Sequence, residues 1–384
     1  TGYNTAIGWQ TGLSLTTGIQ NTLIGGLAGD SLTTGSDNIA IGLNALGLED
    51  TGSRNVAIGK SALTNQNYDG DGYNTAVGYN AGNQVTSGVE NTLIGGLAGD
   101  ALTTGSDNVA IGKSALTTED TGSRNVAIGQ FALAALNYDG NGYNTAIGFY
   151  AGAAATTGVE NTIIGGLSGD ALTTGQRNTA LGTYALGADT TGQYSVAIGR
   201  GALMSQNFTG GEASYNVAVG YDAGNDITTG TMNTLVGALT GDALTTGSRN
   251  TAMGLGALGT EDTGSRNTAF GYAALGLLNY DGDGYNTAVG YEAGAAMTTG
   301  THNVLVGGLA GDALTEGVRN VAIGYGALSA ENSHGKNVAI GYFSLLNQDA
   351  GADAHNVAVG YNTGTAITTG VKNTIMGGLA GDAL

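Results

Sequence analysis

Acidic and amide side chains in glycine-rich segments are the residues of this sequence best suited to binding a metal ion. Oxygen ligands come together at three places, Asp69 with Asp71, Asp139 with Asn141, and Asp281 with Asp283. Calcium takes about six to eight oxygen ligands, often including a bidentate glutamate that closes the loop. No Glu follows these segments at that distance, and the corresponding segment 208–215 lacks the pattern. Because Asp-Gly and Asn-Gly are ordinary turn sequences, we predict turns here, with calcium binding as the alternative.

A second acidic column recurs about once in every 70 residues. Its members are Asp30, Asp100, Asp170, Asp242, Asp312 and Asp382. If the chain stacks as strands about 4.8 Å apart, with four strands per repeat, successive members lie roughly 19 Å apart. Two carboxylates that act as general acid and base must lie within roughly 10 Å of each other. We therefore predict that these residues bond local backbone in turns and do not form catalytic pairs.

An aromatic column has the same spacing along the chain. Its members are Trp9, Tyr79, Phe149, Tyr221, Tyr291 and Tyr361. The same separation prevents one member from stacking on the next. We predict that these rings fill gaps between chains or layers, and a platform for sugar rings is the alternative.

The remaining polar motifs form no catalytic constellation. The three histidines do not recur in phase with the repeat, and no Ser or Asp repeats beside them; they are His302, His334 and His355. The glycine-rich segment 25–29 is not followed by the Lys of a phosphate-binding loop. Adjacent threonines such as Thr33 and Thr34 point to opposite faces of a strand, which does not suit an ice-binding surface. We therefore predict no enzyme, no catalytic, cofactor-binding or metal-binding residues, and no cofactor.

One short segment, Asn55-Val56-Ala57-Ile58-Gly59, is restated from one end of the chain to the other. Only Ser195 replaces the Asn, which falls at positions 4, 21, 38, 55, 74, 91, 108, 125, 144, 161, 178, 195, 216, 233, 250, 267, 286, 303, 320, 337, 356 and 373. The steps are 17, 17, 17 and 19 residues, which sum to 70, and one group has 21 in place of 19. We call each step a rung and each group of four rungs a block. A short fixed period is typical of solenoids, in which each repeat buries its apolar face against its neighbours.

The local pattern within a rung indicates short strands. The apolar segments are β-branched at alternate positions and are bounded by Gly, Asn and Asp. Gly accounts for 72 of 384 residues and Pro is absent, which disfavours helices and suits a stacked ladder. The sequence therefore predicts an all-β parallel β-roll or β-solenoid of about 22 rungs of 17–21 residues. At about 4.8 Å per rung, the rod would be on the order of 105 Å long.

Alternation along the strand separates two kinds of side chain. Val56 and Ile58 are predicted on one face, and Asn55, Ala57 and Gly59 on the other. We expect both faces to be buried, which implies two packed surfaces per strand. The stacked Asn column is expected to form a structural hydrogen-bonded ladder.

The charge and composition exclude several classes of protein. A net charge of −19 argues against nucleic-acid binding, because no basic stripe is present to neutralise phosphates. The sequence has no Cys, which excludes disulfides, thiolate metal sites and thiol catalysis. Within residues 1–384 we find no segment long and apolar enough to cross a bilayer and no signal-peptide pattern, and such segments are expected outside this range if they exist. We expect no membrane contact within this segment.

The segment Ser195-Val196-Ala197-Ile198-Gly199, with a small residue three places after the Gly, resembles the head repeat of YadA-type trimeric autotransporter adhesins. The resemblance covers the whole chain at the level of this motif. It implies a left-handed parallel β-roll in which three chains pack side by side. The rung of the family is shorter than 17 residues, and the 70-residue block is not part of its pattern. Similar repeats occur in phage tail-fibre shafts and other secreted bacterial fibres.

Together, these observations predict a single β-solenoid array over residues 1–384. Neither end differs from the middle, so we expect an uncapped window on a longer chain, or ends that neighbouring subunits cover. The expected function is that of an extracellular or cell-surface structural fibre or adhesin shaft, without enzymatic activity. Its main partner would be itself, as a homotrimer or filament, and a host-surface or matrix ligand is a further candidate. The alternative is a single-chain binding module for a glycan, Ca²⁺ or an ice surface.

Overall fold

Short β-strands make up all the regular secondary structure in the computed structural model, which describes residues 2–383. Each strand is three residues long and begins directly after the Asn, or after Ser195, that opens a rung. The chain forms two compact units, residues 2–193 with 209–212, and residues 194–208 with 213–383. Each unit contains eleven of the strands.

The first unit is a parallel β-solenoid. Its strands are β1 (Thr5–Ile7), β2 (Thr22–Ile24), β3 (Ile39–Ile41), β4 (Val56–Ile58), β5 (Thr75–Val77), β6 (Thr92–Ile94), β7 (Val109–Ile111), β8 (Val126–Ile128), β9 (Thr145–Ile147), β10 (Thr162–Ile164) and β11 (Thr179–Leu181). Each strand pairs in parallel with the next one along the chain. The register places equivalent residues opposite one another, as with Ile39 and Val56.

The second unit repeats this arrangement. Its strands are β12 (Val196–Ile198), β13 (Val217–Val219), β14 (Thr234–Val236), β15 (Thr251–Met253), β16 (Thr268–Phe270), β17 (Thr287–Val289), β18 (Val304–Val306), β19 (Val321–Ile323), β20 (Val338–Ile340), β21 (Val357–Val359) and β22 (Thr374–Met376). These strands also pair in parallel and in register. The predicted fold class, an all-β parallel β-solenoid of about 22 rungs, is thereby confirmed. The left-handed winding of the solenoid, the association of three chains and the single array over residues 1–384 stay predictions.

The interior of each rung is narrow and is filled mainly by Asn, Ala and Leu side chains. Asn55 and Ala57 are fully buried, and so is Leu63, which follows β4. Gly82 has φ of +58°, and a Cβ there would lie 2.6 Å from Leu93 Cδ1 and 2.9 Å from Leu63 Cδ2. Because interiors are packed as closely as crystals, this cross-section leaves no room for another methyl group.

The outward face of each strand differs from our expectation. Val56 and Ile58 are only partly buried, whereas Ala57 between them is fully buried. The prediction that both faces are buried is therefore wrong for the chain by itself. The rung bends at Gly59, where φ is +137°, and the chain closes over the small face. The aliphatic side chains consequently line the outside of the solenoid.

The Asn column forms the ladder that the sequence predicts, mainly through the backbone. The Asn38 Oδ1 accepts a hydrogen bond from the Asn55 backbone N–H at 2.9 Å. The Asn38 Nδ2 donates to the Gly52 carbonyl, also at 2.9 Å. Asn21 makes the same two bonds, to the Asn38 N–H and to Gly35. Each buried amide thus satisfies backbone groups that the short strands leave without partners.

Ser195 shows how the ladder tolerates the one substitution. The Gln206 Nε2 donates to Ser195 Oγ at 2.7 Å, and Gln206 Oε1 accepts from Asn216 Nδ2 at 2.9 Å. Ser214 Oγ lies 2.6 Å from Ser195 Oγ. A buried Gln and a second Ser therefore take the place of the missing amide.

We predict that Asn108→Ala destabilises its rung by about 3 kcal/mol, because the substitution leaves two buried backbone groups unpaired. The affected groups are the Asn125 N–H, at 3.0 Å from Asn108 Oδ1, and the Gly122 carbonyl, at 2.8 Å from Asn108 Nδ2. Native-state hydrogen exchange measures this loss locally, since long repeat arrays do not unfold as one unit. Asn67→Ala is the control, because Asn67 is exposed. Equal protection of the Asn125 amide in both variants would contradict the ladder's role.

Candidate functional site

The Asp-Gly turns hold their carboxylates against groups of the preceding rung. Asp71 forms an ion pair with Arg54, and Asp69 accepts a hydrogen bond from Thr51 Oγ1 at 2.7 Å. The equivalent turn in a later block repeats both contacts, with Asp283 on Arg266 and Asp281 on Thr263. Asp139 likewise accepts from Thr121 Oγ1, at 2.8 Å. These contacts fasten one rung to the next and occupy oxygens that a calcium ion would need.

The second acidic column is used in a similar way. Asp100 accepts a hydrogen bond from Thr117 Oγ1 at 2.5 Å, and Asp312 accepts one from Ser329 Oγ. Burial raises the pKa of Asp170 and of Asp242. The bonds to Thr117 and Ser329 reach side chains one rung away, whereas we predicted bonds to local backbone.

The aromatic column lies on the surface. All six members are more than half exposed in the isolated chain. Stacking does occur, but with aromatic residues of adjacent rungs: the ring centroids of Tyr272 and Tyr291 are 5.3 Å apart and nearly parallel. Tyr342 stacks on both Tyr325 and Tyr361, at 5.6 and 5.5 Å. Sequence reasoning missed this strip because it compared only residues one block apart.

A column of buried carboxyl groups was also missed. Its five members, one for each of five blocks, are fully buried: Glu49, Glu119, Asp189, Glu261 and Glu331. Each stands three residues before the position that Gly52 occupies, where neighbouring rungs have apolar residues such as Leu102. The sequence pattern that could have revealed these residues is an acidic residue at the rung position where other rungs have a buried Leu.

Local backbone groups partly compensate for this burial. The Glu261 Oε1 accepts hydrogen bonds from the Gly264 N–H at 2.7 Å and from the Tyr280 N–H at 3.3 Å. Desolvation nevertheless dominates and raises the pKa of Glu261 to about 7. The same cause raises the pKa of Glu49 and of Glu119. These groups are embedded in the interior of the solenoid, where no substrate reaches them.

The histidines, which did not recur in phase, have three different surroundings. His302 lies against the Tyr285 ring, with centroids 5.3 Å apart. His355 lies near enough to Asp353 to lower the pKa of that carboxyl, after the larger effect of Lys336. His334 lies beside buried Glu331, with Nδ1 at 3.7 Å from Oε1. Within residues 2–383, the only cluster of three side chains that could bind a metal ion consists of Glu331, His334 and Asp349.

No protein-family model and no curated protein sequence matches this chain. Over residues 2–383 there is no helix of the length and apolar character needed to cross a bilayer.

We predict that buried Glu261 makes the protein less stable as the pH rises from about 4.5 to about 7. The pKa of this carboxyl is raised from 4.5 to about 7 by folding, so the unfolded chain ionises first and is favoured by rising pH. The free energy of unfolding should fall by up to about 3 kcal/mol across this range. Glu261→Gln should remove that part of the pH dependence, as measured by hydrogen exchange around residues 261–280.

Glu316→Gln is the matched control, because Glu316 is exposed. It should leave the pH dependence unchanged. An unaltered pH profile in Glu261→Gln would show that Glu261 ionises equally in the folded and unfolded chains.

Proposed function

We propose that this chain is the shaft of an extracellular fibre or cell-surface adhesin that associates side by side with copies of itself. The observation that carries the proposal is the row of apolar side chains on the outer face of the strands. In each unit we define the outer face by the first and third residues of its strands, β1–β11 in the first unit and β12–β22 in the second.

The composition of the outer face is uniform in each unit. The third strand residue is always aliphatic, Met or Phe, whereas the first is Thr in twelve strands and Val or Ile in the other ten. Leu181 and Met253 are third residues of their strands and lie in the row of apolar side chains on the outer face. They are nevertheless 41% and 48% exposed. Soluble monomers rarely expose long contiguous apolar patches, and such patches mark interaction surfaces.

The regularity of this face favours another copy of the same chain as its partner. Its side chains repeat once per strand, at intervals of about 4.8 Å. Only a surface with the same period can match each side chain over many rungs, and a second solenoid of this sequence has that period. Charged groups are depleted here, as they are at the cores of protein interfaces. The resemblance to YadA-type heads leads us to propose three chains.

The proposed role is mechanical and not catalytic. In the described solenoid the polar side chains are mostly engaged with neighbouring rungs, as in the Arg54–Asp71 pair and the Asn ladder. Such connections between successive rungs oppose local unfolding and suit a load-bearing shaft. An extracellular setting is part of the proposal and rests on the resemblance to YadA-type heads and to secreted fibres.

A glycan-binding module is a second candidate, favoured by the aromatic strip of Tyr325, Tyr342 and Tyr361. These rings are stacked in three successive rungs and are 43–57% exposed. Aromatic faces present a large apolar surface beside polar hydroxyls, which suits the apolar face of a sugar ring. Binding of soluble oligosaccharides that is lost in Tyr342→Ala would support this candidate.

We predict that light scattering gives the mass of a trimer, three times that of one chain, both with and without EDTA. Substituting Lys for Ile128 and Ile147 should yield monomers, because two unpaired charges would be buried on the outer face. Gln130→Lys is the matched control, since the previous rung has Lys113 at the equivalent position. Hydrogen exchange on the double variant establishes that β8 and β9 remain folded. A monomeric native chain would contradict the proposal.

A further inference from the structure

The fifth block departs from the other blocks at two positions near its buried carboxyl group. His334 stands where the first four blocks have glycine, at 52, 122, 192 and 264. Asp349 stands where the same blocks have asparagine, at 67, 137, 207 and 279. Both replacements introduce metal-binding side chains next to Glu331, which continues the column of buried acids. The fifth block therefore has two potential metal ligands that the first four blocks lack.

The structure brings these three side chains together. One carboxylate oxygen of Glu331, one of Asp349 and one ring nitrogen of His334 all lie within 4.8 Å of one another. The Glu331 Oε1 is 3.7 Å from His334 Nδ1. Glu331 is fully buried, His334 is partly buried and Asp349 is exposed. The cluster thus has an anchored inner ligand and an outer ligand that solvent reaches.

The Nδ1 atom of His334 is the observation that points to a ligand. This atom is buried and makes no hydrogen bond, and 3.7 Å to Glu331 is too long for one. Buried polar atoms without a partner are rare in folded proteins, and an unoccupied ion site is one of their ordinary explanations. This nitrogen lies beside the buried Glu331 carboxylate, and Asp349 supplies a second carboxylate to the same cluster.

The backbone around the cluster is held in place. The His334 N–H donates to Glu331 Oε1 at 3.2 Å, and the His334 carbonyl accepts from Asn320 Nδ2 at 3.1 Å. Asn337 Nδ2 donates to Glu331 Oε2 at 3.5 Å. The first two bonds have counterparts in the first block, where the Gly52 N–H donates to Glu49 Oε1 and Asn38 Nδ2 donates to the Gly52 carbonyl. They fix the backbone of His334 and one carboxylate oxygen of Glu331 before any ion arrives.

We propose that Glu331, His334 and Asp349 bind a divalent transition-metal ion of the Zn²⁺ class. Zinc takes imidazole nitrogen and carboxylate oxygen at about 2.0–2.2 Å, which in a tetrahedron separates ligand atoms by roughly 3.4 Å. Binding requires the separations of up to 4.8 Å to shorten to that value. A nitrogen ligand favours Zn²⁺ over Ca²⁺ and Mg²⁺, which prefer oxygen. Water fills the fourth position.

Such an ion would link two successive rungs. Glu331 and His334 follow β19, whereas Asp349 follows β20. Metal binding would therefore cross-link residues 331–334 to residue 349. It would stabilise the folded form of this segment by mass action, since the unfolded chain lacks the assembled site. This inference is independent of the proposed self-association, because it concerns contacts within one chain.

The test is isothermal titration calorimetry of the full-length, tag-free chain with Zn²⁺, and with Ca²⁺ for comparison. We expect one Zn²⁺ site per chain and no comparable Ca²⁺ site. His334→Gly and Asp349→Asn each restore the residue of the other blocks, so the folded rung tolerates them. Each should weaken Zn²⁺ binding by about tenfold or more. Hydrogen exchange should slow at residues 331–350 when Zn²⁺ is added.

His355→Tyr is the matched control. It removes a histidine outside the cluster and restores the residue found at Tyr73, and it should leave Zn²⁺ binding unchanged. The proposal is overturned if the native chain shows no saturable Zn²⁺ binding or if exchange at 331–350 does not change. It is also overturned if binding survives His334→Gly or is lost in His355→Tyr.

Discussion

The hydrogen bonds of the buried Asn column are the interaction on which each solenoid unit depends. A three-residue strand pairs too few backbone groups to close a rung by itself. The Asn side chain supplies the missing donor and acceptor, as when Asn38 bonds the Asn55 N–H and the Gly52 carbonyl. Since both backbone groups are buried, the ladder must be complete in every rung. This requirement explains why the column changes only once, at Ser195, where Gln206 and Ser214 compensate.

The ladder also fixes which side chains face inwards. Asn and the central strand residue point to the same side, so the interior receives Ala, Leu or Ile and the outer face receives mostly β-branched residues. The interior is then too narrow to bury both faces. One chain consequently leaves an apolar outer face of constant spacing, and this geometry motivates the proposal of lateral self-association.

The sequence predicted the strands, the rungs and the Asn ladder, because a period of 17 residues fixes which residues stack. It did not predict which face is inside. The alternation of side chains along a strand places Val56 and Ala57 on opposite faces, but it does not determine which of the two faces the rest of the rung covers. The buried carboxyl of Glu261 was missed because an acid in a polar stretch resembles a surface residue. The grouping of His334 with Asp349 was missed because these residues lie in consecutive rungs and the search compared residues one block apart.

Burial of the outer face between copies of this chain, as proposed above, can be tested by cross-linking. Because the sequence has no Cys, Val126→Cys places a single thiol on the outer face of β8, and a short bifunctional maleimide reports whether two such thiols meet. We predict efficient formation of covalent dimers at micromolar protein, with little cross-linking when the thiol is placed at exposed Gln84. Failure of Val126→Cys to cross-link, or equal cross-linking from both positions, would contradict the account.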